Sequence, residues 1–296
     1  MAKIGPHMVR DLGEPVGQTT TVDRMWEDAP MPLTFPSHPG VALPLKLWRP
    51  RWFDGVALTT GAVAPDIKYA FLGIGPDWQS HTLTALVWWC LPVALLGAWL
   101  VRATVATLAA HLPHLGPLAL RDYGVLATVR HPWQITAGSA LLGAASHIAW
   151  DYLTHTVAWL RIVFGIDWDQ VSDVAWWTVS DIPSSLLGAL VTLGVAVVVG
   201  RRRLLRAWHG NPPPVHTRPT VFWSLAGAAA IIGYALTPLL PAKELPWATT
   251  VRLLCITAGA LLVAAAAVQA MNAITAPADT RTVARGSHSE APPSSL

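Results

Sequence analysis

The sequence is poor in charge. Asp, Glu, Lys and Arg make up 12% of its 296 residues, about half the ~25% share of an ordinary soluble domain. With 53% hydrophobic residues and long uncharged runs, this excludes a conventional water-soluble globule and points to an integral membrane protein. Cysteine is equally scarce. Cys90 and Cys255 both lie in apolar runs and read as buried thiols, which leaves the redox compartment open. A formal net charge of +3 is too small to argue for a nucleic-acid partner. Residues 1–30 hold no apolar core of signal-peptide type. No internal repeat supports the inverted-repeat logic of transporters. HExxH is missing, as are the Pro-Ser-Gly-His run of haloperoxidase-type lipid phosphatases and the Gly-x-Ser-Gly of rhomboid proteases, which Gly138-Ser139-Ala140 does not supply.

What is present is a series of apolar stretches. Five of them, 78–101, 131–150, 182–200, 219–242 and 253–278, are long enough to cross a ~30 Å hydrocarbon core, which needs about 20 residues. The stretch 55–74 is broken by Pro65, Asp66 and Lys68 and reads as a short or re-entrant helix. Sixteen Trp residues suit interfacial belts. The expected fold is therefore an all-α polytopic membrane bundle of about five spans, with short re-entrant or surface helices from the Ser37 and Gly55 regions. Residues 1–30 read as a polar, flexible tail, with Met31 as a plausible natural start. Residues 31–275 form the membrane domain, and 276–296, rich in Ala, Pro, Ser and Thr, read as a disordered tail.

With five spans, 1–77, 151–181 and 243–252 share one side, and 102–130, 201–218 and 279–296 the other. Lys and Arg divide ten to ten between them, whereas Asp and Glu divide fourteen to three. Arg201, Arg202, Arg203 and Arg206 directly follow a span and weigh most in the positive-inside rule. They make the second side cytoplasmic and the first extracytoplasmic.

Several polar residues gather on that first side. His147, Asp151 and His155 recur every fourth residue, so a helix carries them on one stripe. His38 lies in Ser37-His38-Pro39, Asp66 follows Pro65, and His81 opens the first stretch. Imidazole and carboxylate are common ligands of zinc and other divalent metals, and they are costly beside lipid unless they bind something. Residues eight apart lie ~12 Å apart along one helix, so His147 and His155 do not easily share an ion. Either Asp151 bridges two ions or one histidine stands behind the ligands. His111, His114, His131, His209 and His216 read as solvated loop residues, and His7 and His288 as tail residues.

The segments MPLTFPSHPGVALPL, GAVAPDIKYAF, SHTLTALVWWCLPVALL, LLGAASHIAWDYLTH and SSLLGAL resemble, in order and spacing, the bacterial membrane family called domain of unknown function 4184, over roughly residues 31–200. More distantly, an early His, a Pro-Asp after small residues and a later His-x-x-x-Asp helix are similar to membrane-bound metal-dependent hydrolases and zinc-dependent phospholipase C-like proteins. That second resemblance implies His38, Asp66, His81, His147, Asp151 and His155 as metal ligands. Asp66 and Asp151 are the candidate catalytic carboxylates, either of them as ligand, bridge or general base.

The expected function is a metal-dependent hydrolase, zinc being the first candidate metal, acting on a phosphoester or lipid-borne substrate at the outer face of a bacterial cell membrane. The alternative is a non-enzymatic membrane protein whose His/Asp cluster fixes packing or lines an ion path.

Overall fold

The computed structural model describes residues 37–76 and 78–275. The expectations for the 1–30 tail, the Met31 start and the 276–296 tail lie outside the described residues. Among these, there are ten α-helices and no strand: α1 Pro39–Trp48, α2 Gly55–Val63, α3 Leu91–His111, α4 Trp133–His155, α5 Ala158–Phe164, α6 Trp168–Val171, α7 Trp176–Arg201, α8 Leu204–His209, α9 Pro219–Leu236 and α10 Pro246–Thr275. A π-helical turn, Leu86–Cys90, leads into α3, and a 3₁₀ turn, Asp66–Phe71, follows α2.

Among the described residues, four helical stretches are long and apolar enough to cross a membrane: Leu86–His111, Trp176–Arg201, Pro219–Leu239 and Pro246–Thr275. Helix α4, with 23 residues, also has spanning length, but it is more polar and buries one face against α2. Long helices consecutive in the chain run antiparallel. The end of α4 meets the start of α7 through Ser180 and Thr154, and Tyr234 of α9 bonds Thr257 of α10 at 2.6 Å.

The first, second and last spans differ from their sequence-read bounds, because residues taken as ends are accommodated inside helices. Arg102 lies within α3, where its guanidinium meets Asp54. Helix α4 continues through His147 and Asp151 to His155. Arg252 lies within α10 and donates to the carbonyls of Ala70, Leu72 and Pro241 at 3.2, 2.6 and 2.7 Å. A charge ends a span only where nothing in the bundle neutralises or bonds it.

Helices α1 and α2 form a short hairpin whose two legs, of 10 and 9 residues, reach only part-way through a bilayer. Its turn is tied off by Lys46 Nζ, which donates to the carbonyls of Pro50 and Phe53 at 2.6 and 2.8 Å. Asp54 then caps α2: its Oδ1 accepts from the backbone N–H groups of Val56 and Ala57. The hairpin is buried by close helix contact. A Cβ on Gly61 would lie 2.1 Å from the Ala140 carbonyl oxygen, and one on Gly143 would lie 2.3 Å from that of Leu58. Only glycine at both positions lets α2 and α4 approach backbone to backbone, as small residues do between membrane helices. Helix α7 covers α1 with its small and polar stripe, Asp181, Ser184 and Gly188, and turns Ile182, Leu186 and Leu190 outward. This places small and polar residues inside and large apolar ones outside, the inverse of a soluble helix.

Candidate metal centre

Both ends of the hairpin open at the same place. His38 stands at the N-terminus of α1, before Pro39 in the first turn, and Asp66 opens the 3₁₀ turn just past α2. Two contacts fix where α2 ends. Trp89 Nε1 donates to the Ala64 carbonyl at 3.1 Å, and Arg252 holds the carbonyls of Ala70 and Leu72. Asp66 is thereby turned onto α4, where His147 and Asp151 lie one helical turn apart and face inward. His81 arrives from the segment before the π-helical turn, its Nδ1 3.0 Å from Ser80 Oγ.

His147 is oriented by its own backbone partner. Its Nδ1 lies 2.6 Å from the Ala62 carbonyl. A carbonyl only accepts, so Nδ1 carries a proton and Nε2 is the atom turned to the cluster, the orientation of a metal-binding histidine held from behind.

The distances around that nitrogen are short. His147 Nε2 lies 3.4 Å from Asp66 Oδ1, 3.1 Å from Asp151 Oδ2 and 3.3 Å from His81 Nε2. His81 Nε2 lies 3.4 Å from each of the same two oxygens. Four ligand atoms at zinc-like bond lengths on one tetrahedral ion are separated by about 3.3–3.6 Å. His38 stacks on His147 with ring centroids 3.6 Å apart. Its Nε2 faces the other oxygen of each carboxylate, 3.9 Å from Asp66 Oδ2 and 3.7 Å from Asp151 Oδ1. Each carboxylate thus presents one oxygen to the His81–His147 side and one to the His38 side. Two triads, His38-Asp66-His147 and His81-His147-Asp151, keep their ligand atoms within 4.8 Å of one another.

Burial makes this costly unless something is bound. His38 and His147 are fully buried and Asp151 and Asp66 nearly so. Among the described residues, both oxygens of Asp151, Oδ1 of Asp66 and both ring nitrogens of His38 have no hydrogen-bond partner. Buried carboxylate oxygens are ordinarily hydrogen-bonded or bound to metal. Burial, reinforced by the neighbouring His147, lowers the His38 pKa to about 4, which keeps it a neutral imidazole with a free lone pair.

His155 stands one step away. Its Nδ1 is 3.2 Å from the Asp151 carbonyl and 4.0 Å from Asp151 Oδ1, and it belongs to neither triad. Asp181, which the sequence reading passed over, is buried at the head of α7 within electrostatic reach of His155 and Asp151. An acid at the start of an apolar run, one turn before Ser184 and Gly188 on the same face, is the signal that could have found it.

Three histidines read as solvated loop residues are placed differently. His111 is buried: its Nδ1 is 2.7 Å from the Thr107 carbonyl, and its Nε2 accepts from the Arg218 N–H at 2.9 Å. It joins the end of α3 to the start of α9 and is structural. His131 and His209 are half-buried and face a separate cavity.

The family model for the domain of unknown function DUF4184 matches residues 31–275. The chain belongs to this family. The match takes in the whole described domain, including the two last spans, which the sequence motifs alone did not reach. No curated protein and no solved structure matches the chain.

Proposed function

We propose that this DUF4184 member is a membrane-embedded metal-dependent hydrolase acting on a phosphoester or lipid-borne substrate. The observation that carries the reading is the set of buried, unpartnered carboxylate oxygens spaced 3.1–3.4 Å from two imidazole nitrogens. His81, His147, Asp66 and Asp151 would hold a divalent metal, zinc being the first candidate from the nitrogen and oxygen donors. His38, with the outer oxygens of the two carboxylates, would offer further donors to such a site. A bound divalent metal supplies Lewis acidity, lowering the pKa of water to about 7 and polarising a scissile group. The chain's residues do the rest. The Ala62 carbonyl fixes the His147 tautomer, the closely packed α2–α4 contact excludes water from behind, and Asp181 is the nearby carboxylate left over to accept a proton.

The site lies at the end of the bundle opposite Arg201, Arg202, Arg203 and Arg206. The positive-inside rule supports reading this as the extracytoplasmic face, which we propose is that of a bacterial cell membrane. A cysteine introduced at Gly210 is then protected from an impermeant thiol reagent in intact cells, and ready labelling would reverse the orientation.

The decisive experiment is elemental analysis of the purified full chain, followed by hydrolysis of bis(p-nitrophenyl) phosphate with and without added zinc. Stoichiometric metal with metal-dependent turnover is expected. A chain that folds, carries no metal and takes up none would return the cluster to a structural role.

A further inference from the structure

A second site lies at the other end of the same hairpin. A cavity of about 340 Å³ opens between α1, α2, α3, α7 and α8, within the ~300–1,000 Å³ range of small-ligand pockets. One part of its wall is aliphatic: Leu43, Leu47, Val101, Leu126, Val195 and Val199. The other part carries Lys46, Arg102, His131 and His209.

The charges there do not balance. Asp54 is fully engaged: Oδ1 caps α2, while Oδ2 accepts from Arg102 Nη2 at 2.5 Å and from Thr136 Oγ1 at 2.8 Å. It neutralises Arg102 and leaves Lys46 over. Lys46 is 8% exposed, and among the described residues no carboxylate lies within 4 Å of its Nζ. Its two carbonyl partners and the Trp208 ring, 5.5 Å away, satisfy donors but contribute no anion. Arg102 Nε and Thr192 Oγ1, also on this wall, are buried and have no hydrogen-bond partner among the described residues. Burial lowers the pKa of both His131 and His209, so they offer neutral donors and the surplus charge is that of Lys46. A buried cation within a membrane domain calls for a partner. A cavity that is aliphatic on one side and cationic on the other selects an amphiphile.

We propose that this cavity binds a single-chain anionic amphiphile, its acyl chain between α3 and α7 and its carboxylate or phosphate head on Lys46 and Arg102. A volume at the small end of the pocket range suits one chain rather than the two of a bilayer phospholipid. The site is independent of the metal reading, since it shares no residue with it.

The test uses the full chain purified in a non-ionic detergent, with radiolabelled hexadecanoate as probe and hexadecanol, hexadecyl phosphate and inorganic phosphate as competitors. Saturable hexadecanoate binding is expected, with hexadecanol at least tenfold weaker as a competitor and inorganic phosphate ineffective. Hexadecyl phosphate against unlabelled hexadecanoate decides which head group is preferred. Lys46→Gln should weaken hexadecanoate at least tenfold, and Val195→Trp, which fills the aliphatic part, should abolish it. Metal content should be unchanged in both. Because Lys46→Gln also disturbs the hairpin turn, Val195→Trp and the hexadecanol comparison stand on their own. Hexadecanol competing as well as hexadecanoate would overturn the anionic site, and undiminished binding by a folded Val195→Trp would overturn the cavity.

Discussion

The two ends of the α1–α2 hairpin both bury a carboxylate against a cation or imidazole, yet they are built to opposite rules. At the turn, Asp54 accepts four hydrogen bonds, from Val56, Ala57, Arg102 and Thr136. At the mouth, both oxygens of Asp151 and Oδ1 of Asp66 find none among the described residues, although three imidazoles face them. A satisfied buried carboxylate is an internal cap and needs nothing from outside. A pair of buried carboxylates without hydrogen bonds, with imidazoles as its neighbours, carries a larger desolvation cost and is the arrangement a ligand would relieve. Burial and residue type alone do not distinguish the two ends; the count of hydrogen bonds does.

The largest test of this contrast is Asp151→Ala. It should strip most of the metal from the protein, measured by elemental analysis, while thermal unfolding in detergent shows a folded chain. His155→Ala should keep its metal, since His155 lies outside both triads. Equal metal loss in the two variants would erase the distinction between ligand and bystander.

Asp54→Ala is the reciprocal change. Removing one member of a buried ion pair costs about 3–5 kcal/mol, and the lost helix cap adds to it. A large fall in the unfolding midpoint is expected, with metal affinity in the surviving folded fraction close to wild type. Loss of metal without loss of stability would mean that the two ends of the hairpin have been assigned the wrong way round.

Gly61→Ala is a smaller perturbation that touches both properties. Its new methyl meets the Ala140 carbonyl at 2.1 Å, so α2 must shift from α4 at a cost of about 1–3 kcal/mol. Because Asp66 follows α2 directly, metal affinity should fall as well, seen as an earlier loss of metal during chelator titration. Destabilisation with unaltered affinity would uncouple helix contact from site geometry.

The smallest effect concerns a third carboxylate. Burial pushes the Asp122 carboxyl up, but hydrogen bonds from Arg203 and Arg206 outweigh it and hold the group below its ordinary value. Its contribution is therefore present above the unfolded value of ~3.9 and fades as pH falls through the lower folded value. The arginine side chains are 58% and 45% exposed, which limits the pair to about 1 kcal/mol or less. Asp122→Asn should lower the unfolding midpoint slightly at pH 6, and by less as the pH falls below the ordinary carboxylate range. A change as large as that of Asp54→Ala would show that exposure of the arginines is no guide to strength.

How much of this was legible in the sequence follows from range of interaction. The stripe His147-Asp151-His155 has a period of four, which any helix turns into one face, and Pro65 marks the break that turns Asp66 inward. The hairpin could be suspected from interrupted hydropathy at 55–74. What could not be read was which charges have partners. Arg102 and Arg252 look like span ends until Asp54 and three backbone carbonyls, up to 182 residues distant in the chain, are seen to engage them. His111 looked like a loop residue because its partner N–H, on Arg218, comes from a helix 107 residues on. Gly61 and Gly143 carry no pattern of their own, since a glycine's use lies in the backbone that approaches it.

The order in which the donors are made has a consequence for assembly. His38, Asp66 and His81 leave the ribosome first, on a hairpin too short to span and on the segment before the first crossing. His147 and Asp151 follow some seventy to a hundred residues later, with α4. Until that helix is inserted and α2 has docked along it, no two of the three early residues have their shared partner, and a partial set holds a metal weakly. On the proposed function, the full donor set would come together only after α4 is inserted and Arg252 of α10 has fixed the Asp66 segment, and a chain stalled or cleaved before α4 would lack that set.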